Sequence, residues 1–283
     1  MLLTRTSNYS YTVFHMSLEE YFGINESPFR ISPDPRFLYY SSQVKEAIEK
    51  CRYMTEHRVG PLYLYGPIGS GKTTLLKQLA SMFKTGERYM VAHLISPNIK
   101  TSNAFLRVIL DEFGVKTERA YAQSLRNFET FLVEAYKADR QPLLLVDEAQ
   151  NMSRDMLRLV HYLLNFETTT TKLLQVVVAG QQELAGRILR FPELASRMFP
   201  IALSGMSPSD LTAMIEYRWM VAGGKDMPFD QAACDVIFAY SKGLPRDAVK
   251  LCDECLRYMM AKRTHQMTPL AVEGVAAGLN LTA

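Results

Sequence analysis

Gly66-Pro67-Ile68-Gly69-Ser70-Gly71-Lys72-Thr73 stands between an apolar run, Pro61-Leu62-Tyr63-Leu64-Tyr65, and a segment from 72 to 84 with helical spacing. The octet fits the Walker A pattern G-x-x-x-x-G-K-[ST] in full, in the order strand, turn, helix that the pattern requires. Gly66, Gly69 and Gly71 let backbone N–H groups curl around phosphate oxygens, and the start of the next helix adds a dipole that favours an anion. The expected cradle takes in Pro67, Ser70 and Thr74 as well. Lys72 is expected to reach β and γ phosphates, and the Thr73 hydroxyl to ligate magnesium.

Such a loop calls for an acidic partner at the end of another buried strand, and Leu143-Leu144-Leu145-Val146-Asp147-Glu148 supplies it. Asp147 is expected to coordinate Mg2+, while Glu148 orients and deprotonates an attacking water, so that ATP is hydrolysed rather than merely bound. A third apolar run, 173–179, leads into Gly180-Gln181-Gln182-Glu183-Leu184. Gln181 lies beyond the carboxyl end of that strand, placed either to sense the γ-phosphate or to cap the following helix. Arg187, Arg190 and Arg197 come next. An arginine here can stabilise the charge that develops at a neighbouring subunit's γ-phosphate or make a surface ion pair; Arg197 is the first choice for the former and Arg190 the second. Gly243-Leu244-Pro245-Arg246 opens a helix with proline in its first turn, from which Arg246 projects toward the nucleotide.

At 283 residues and 48% hydrophobic content the chain can fill one moderate α/β core and a smaller companion. Apolar runs at 61–65, 89–95, 142–146, 173–179 and 198–203 alternate with helical patterns at 42–57, 72–84, 101–113, 121–138, 153–165 and 181–190. That alternation predicts a parallel sheet covered on both faces. Beyond Ser207-Pro208 the pattern is helical only, at 208–222, 230–241, 245–262 and 269–278. The expected divisions are an N-terminal extension and strap, 1–40, with Pro28, Pro33 and Pro35 among aromatics; a nucleotide-binding α/β domain, 41–205; and a helical domain, 206–283.

A net charge of +3 permits nucleic acid as a partner without requiring it. No run of eighteen apolar residues and no secretory signal core is present, so neither a membrane span nor export is expected, and the location is expected to be cytoplasmic. Cys252 and Cys255 form a C-x-x-C inside a helix with no second pair and no nearby histidine, which reads as packing rather than metal or redox work.

Taken together these residues resemble the AAA+ ATPases, and within them the group that contains the secretion ATPase ExeA and the transposition regulators TnsC, TniB and MuB. The resemblance runs from about residue 21 to 277. Phe22-Gly23-Ile24-Asn25-Glu26-Ser27-Pro28-Phe29 and Ser32-Pro33-Asp34-Pro35-Arg36-Phe37-Leu38-Tyr39 are similar to the leader of ExeA-like proteins. Gly180-Gln181-Gln182-Glu183-Leu184 is similar to their Gly-Gln-Pro-Glu-Leu, with Gln182 in place of proline, and 243–246 resembles the sensor 2 motif. The resemblance implies an α/β P-loop AAA+ fold with sheet order 5-1-4-3-2, a C-terminal helical lid, and self-assembly into rings or filaments with ATP at subunit interfaces.

The chain closes at Ala283 without the membrane and peptidoglycan-binding segments of ExeA-like ATPases, so the resemblance favours a DNA-binding regulator of transposition. Such a regulator marks double-stranded DNA and recruits a transposase, together with target-selector proteins. An ExeA-like secretion module and an ATP-switched protein-interaction module without DNA binding are the alternatives. In the transposition group the loops after the second strand and after the following helix hold the DNA backbone. Here that implies Asn98, Lys100 and Thr101, and Lys116, Thr117 and Arg119. Cations beside small polar donors suit phosphate contact without sequence readout, although a solvated loop also contains them.

Overall fold

The computed structural model describes residues 16–32, 34–95 and 99–282. Its helices are α1 (Leu18–Phe22), α2 (Ser42–Glu56), α3 (Lys72–Lys84), α4 (Ser102–Glu112), α5 (Tyr121–Lys137), α6 (Arg154–Leu163), α7 (Gln182–Leu189), α8 (Pro192–Ala195), α9 (Pro208–Val221), α10 (Gln231–Ser241), α11 (Pro245–Lys262) and α12 (Pro269–Gly278). The strands are β1 (Leu62–Tyr65), β2 (Tyr89–Leu94), β3 (Gln141–Val146), β4 (Gln175–Gly180) and β5 (Phe199–Ala202). They form one sheet in the order β2-β3-β4-β1-β5, parallel throughout, which is the expected order read from the other edge.

Burial follows the period of two that a strand imposes. Leu143 and Leu145 of β3 and Val177 and Ala179 of β4 pack with Leu75, Leu76 and Leu79 of α3 and with Ile48 and Met54 of α2. Their neighbours Leu144, Val146, Val176 and Val178 face the other way, into a core made with Phe105 and Ile109 of α4, Phe128 and Leu132 of α5, and Val160 and Leu163 of α6. β3 and β4 are buried at every position, which is why they read as apolar runs after their first residues, the buried Gln141 and Gln175, whereas the edge strand β5 buries only Ile201. Each large side chain so placed contributes about 1.5–3 kcal/mol.

Helices α9–α12 share a separate core. Their starts are written in the local chemistry: Ser207 accepts from Asp210 N–H, Asp230 from Ala233 N–H and Thr268 from Ala271 N–H, and α9, α11 and α12 each begin with proline. Ile24 and Phe29, from the strap, belong to this same core. These apolar anchors of the strap insert among the C-terminal helices. Within it, α1 and a 3-10 turn at Pro35–Phe37 are regular pieces that the pattern of the sequence does not announce, as is α8 further on. Pro33 lies outside the described residues.

All four cysteines are buried and unpaired. Burial pushes the Cys255 thiol up to about 12 and Cys252 well above its usual value, so neither supplies a thiolate near neutrality. Among the described residues no group of three or more His, Cys, Asp or Glu could hold a metal, and no helix is long and apolar enough to cross a membrane.

Candidate nucleotide site

Parallel strands end at one edge of the sheet, and every group singled out between 66 and 74 and between 147 and 181 lies at that edge. The loop after β1 turns through Gly69 at φ +86° and Gly71 at φ +94°, a left-handed backbone open to glycine at little cost. A side chain at Gly69 would also meet Arg246 Cβ at 2.8 Å. Gly71 then caps α3 without any side-chain hydrogen bond, which leaves the first-turn N–H groups of that helix open to an anion.

Lys72 is only 7% exposed, yet no carboxylate touches it. Its ammonium donates to Gly66 O at 3.0 Å, Pro67 O at 2.7 Å and Ser70 Oγ at 3.3 Å. Burial lowers its pKa, opposed by the charges of Asp147 and Glu148. Asp147 is 2% exposed at the end of β3. Burial raises its carboxyl, while hydrogen bonds from the Thr73 hydroxyl and from Glu148 N–H, the latter at 2.8 Å, pull the other way. Thr73 and Asp147 thus meet across the end of β4, the strand that separates β1 from β3.

Glu148 adopts a left-handed conformation, φ +52°, which is unusual for a residue with a side chain and worth about 1–3 kcal/mol of strain. Its carboxylate accepts from Gln150 Nε2 at 2.5 Å, and Gln150 Oε1 accepts from Gln181 N–H at 3.0 Å. Gln150 therefore joins the ends of β3 and β4. The sequence pattern passed it over, because nothing in the motif marks the second residue after the acidic pair. Gln181 occupies the cap position of α7, but its side chain makes no cap hydrogen bond, so capping is not its part.

A cavity of about 400 Å³ opens here, lined by Gly69, Lys72, Thr73, Thr74, Glu148 and Gln181 at one end. Pro245, Arg246 and Val249 close it from α11, and Arg30, Ile31, Ser32, Asp34 and Arg218 line the rest. Arg246 N–H donates to Gly69 O at 3.2 Å, so the C-terminal helices touch the loop directly.

The three downstream arginines separate. Arg187 donates to the carbonyls of Gln150 and Met152 and so braces the site from its own chain. Arg190 is exposed, with no side-chain partner among the described residues. Arg197 donates to Asn165 Oδ1 and precedes the start of β5. Since Phe199 is level with Leu62, Arg197 lies six strand positions below Gly66, about 20 Å at 3.3 Å per residue. It cannot serve the loop of its own chain.

Of the loop residues expected at DNA, Asn98 lies outside the described ones. Lys100 and Arg119 are exposed and make no ion pair among the described residues. Lys116 is paired with Glu118 at 2.8 Å, which spends its charge locally, and the Thr101 hydroxyl oxygen caps α4. Thr117 is half-buried. Ser102 and Tyr121, next to these loops, line one shallow groove with Arg158 and Tyr162 of α6, so the two loops converge on a common surface.

Residues 55–188 match the family described as AAA domain. General secretion pathway protein A of Aeromonas hydrophila is 32% identical over 254 residues, 88% of this chain but 46% of that protein, so the chain spans about half the length of this curated relative. A chain of Drosophila ORC bound to DNA superposes with a TM-score of 0.67 at 19% identity, over 100% of this chain and 71% of that one. For Cdc6p of Pyrobaculum aerophilum the TM-score is 0.66 at 14% identity, covering 90% and 71%. The ORC2 protein of Aeropyrum pernix, solved in ADPNP–ADP complexes, gives 0.62 at 17% identity, covering 84% and 67%. With its strand order, its glycine-rich turn and these likenesses, the chain has the P-loop α/β fold of AAA+ ATPases.

Proposed function

We propose that this chain is a magnesium-dependent ATPase that assembles with itself, holds ATP where subunits meet, and grips duplex DNA according to nucleotide state. The observation that carries the ATPase reading is the meeting of Thr73 with Asp147 beside a buried lysine that has only neutral oxygen partners. These residues fit a triphosphate and its metal. An uncapped helix start, two left-handed glycines and the Lys72 ammonium make an anion cradle. The oxygens of Thr73 and Asp147 suit a hard cation.

Lys72 exchanges loop carbonyls for β and γ oxygens. Thr73 and Asp147 would hold Mg2+, which when bound would supply positive charge to those oxygens. Glu148 faces the cavity and takes the proton of the attacking water, while Gln181 orients that water. Arg246 ties the C-terminal helices to the loop, so that closure answers to the nucleotide. Arg197, too remote for its own loop, is the first candidate for a finger into a neighbour's site, and Arg190 the second. Lys72→Ala should abolish ATP binding by calorimetry, whereas Glu148→Gln should bind ATP and fail to turn it over. Wild-type turnover in the Glu148 variant removes that residue from its role.

Lys100 and Arg119, exposed cations that make no ion pair among the described residues, lie on loops whose following residues Ser102 and Tyr121 line one groove, which supports contact with a phosphate backbone, as does likeness to a protein solved on DNA. On that basis the finer reading is a cytoplasmic regulator of DNA transposition that recruits a transposase and target selectors. A secretion-pathway role is the second reading, and the 32% identity to General secretion pathway protein A favours it. Fluorescence anisotropy with ATP and duplex DNA separates them. Under the DNA reading affinity falls steeply with salt, with a slope of about −0.9 per phosphate neutralised, and Lys100→Ala and Arg119→Ala make it shallower. An active ATPase that binds no DNA at any salt concentration leaves the secretion reading.

A further inference from the structure

One guanidinium stitches the strap to α9. Arg218 donates from Nε to Pro28 O at 2.9 Å, from Nη2 to Arg30 O at 3.0 Å and from Nη1 to Phe37 O at 3.3 Å. Its plane lies 5.0 Å from the Phe37 ring. It makes no ion pair among the described residues, and burial pulls its pKa down to about 10. A half-buried cation without a paired carboxylate needs other compensation, and here three backbone carbonyls of the strap supply it, with the charge of Asp34 nearby. Pro28, Arg30 and Phe37 are therefore held to α9 by this side chain. Two further ties act nearby: Tyr217 Oη donates to Arg36 O at 2.9 Å, and Asn25 N–H to Ala222 O at 2.7 Å.

The same stretch walls the nucleotide cavity. Arg30, Ile31, Ser32 and Asp34 line it together with the phosphate cradle, so a nucleotide whose phosphates occupied the loop would have these residues for its base and ribose to meet. We infer that Arg218 is a positioning residue for the nucleoside end of the ligand, holding strap and α9 as one body so that the wall at 30–34 and the C-terminal helices close on base and ribose together. This inference rests on the ATP-binding reading above. Among the described residues Lys72 and the first turn of α3 make no hydrogen bond to the strap, although its turn at Pro35–Phe37 packs on α3, so a ligand without base or sugar reads the phosphate end separately.

The chain holds a single tryptophan, Trp219, adjacent to Arg218. It is 3% exposed and packs edge-on against Phe22 at 5.8 Å, so its emission reports on the junction of strap and helices. The test titrates the full chain with Mg-ADPNP and, separately, with inorganic tripolyphosphate, which lacks base and sugar. In the wild type, Mg-ADPNP should bind and shift the Trp219 emission. In Arg218→Met, the Kd for Mg-ADPNP should rise about tenfold or more and the emission response should vanish, while tripolyphosphate binds as in the wild type. At saturating ATP, kcat should stay within about threefold, since only binding has changed. Arg218→Lys keeps the charge but not the three-way fork, and should recover only part of the affinity.

Equal loss of both ligands would mark a general structural defect, and unchanged binding of both would show that the strap is not involved; either overturns the inference. If Arg218→Met does not fold, Tyr217→Phe carries the test, with a rise of about two- to fivefold for Mg-ADPNP alone expected and no rise refuting the inference. A wild-type chain that binds neither ligand brings down the nucleotide reading and this one with it. Wild-type binding with an indifferent Arg218→Met brings down this one only.

Discussion

Gly180→Ala asks whether Gln150 sets the pose of Glu148. A methyl group at 180 would lie 2.7 Å from Gln150 Oε1, 2.9 Å from Leu184 Cδ2 and 3.0 Å from Gln150 N, where ordinary contact begins at 3.4 Å. Leu184 is wholly buried and has nowhere to go, so the amide of Gln150 must yield, by about 0.7 Å. Its bond to Gln181 N–H, 3.0 Å long, then stretches past hydrogen-bonding distance, and its hold on Glu148 loosens. Overpacking of this kind costs about 1–3 kcal/mol of stability, and a misplacement near 1 Å costs of order 10²-fold in rate. Phosphate release at saturating ATP should accordingly fall about 10- to 100-fold, while the Kd for ATP by calorimetry stays within about threefold. Once Gln150→Ala has been made, adding Gly180→Ala should slow the enzyme little further, because the displaced amide is already gone. Wild-type kcat in Gly180→Ala, alongside a lowered melting temperature, would refute the link.

Three further outcomes follow from the same geometry. Mixing an Arg197→Ala subunit with a Glu148→Gln subunit, each inactive alone, should restore turnover if Arg197 acts on a neighbour; no restoration at any ratio removes it from that role. Phe128→Ala should destabilise the chain by about 3–5 kcal/mol in chemical denaturation, since that ring is wholly buried and stacked on Phe131 at 5.9 Å; a loss below about 1 kcal/mol would contradict its place in the core. The four cysteines should resist a thiol reagent at pH 8 and react together on unfolding, because burial holds Cys51 and Cys255 at about 12 and none is exposed; fast labelling of any one in the folded chain would refute this.

The sheet was legible because buried parallel strands leave unbroken apolar runs such as 143–146 and 176–179, and the glycine-rich turn fixes which strand precedes the phosphate cradle. Helix starts were legible where Ser207, Asp230 and Thr268 supply caps. The short helix α1 was not, since five residues give no period, although Ser17 and Glu20 form a capping box around its start. Arg218 was illegible for a different reason: arginine is ordinarily a surface residue, and only the fold reveals that three distant carbonyls surround it. The bend at Glu148 and its tie through Gln150 likewise depend on β4 lying between β1 and β3, a neighbourhood that no local pattern encodes. Lys116 shows the reverse case, a cation that the sequence offers to a ligand and that Glu118 already occupies.

The pairing of the strap with α9–α12 joins stretches made early and late in synthesis. Arg218 and Pro28 are 190 residues apart, and Tyr21 donates to the carbonyl of Thr264 across 243 residues. At about 5–20 residues per second, ten seconds or more separate the two partners' emergence from the ribosome, during which Ile24 and Phe29 have no core to enter. The glycine-rich turn is complete long before its cleft has a far wall. On the proposed nucleotide reading, the phosphate cradle takes shape once β4 and β5 flank β1, before the helices that would close on base and ribose are made.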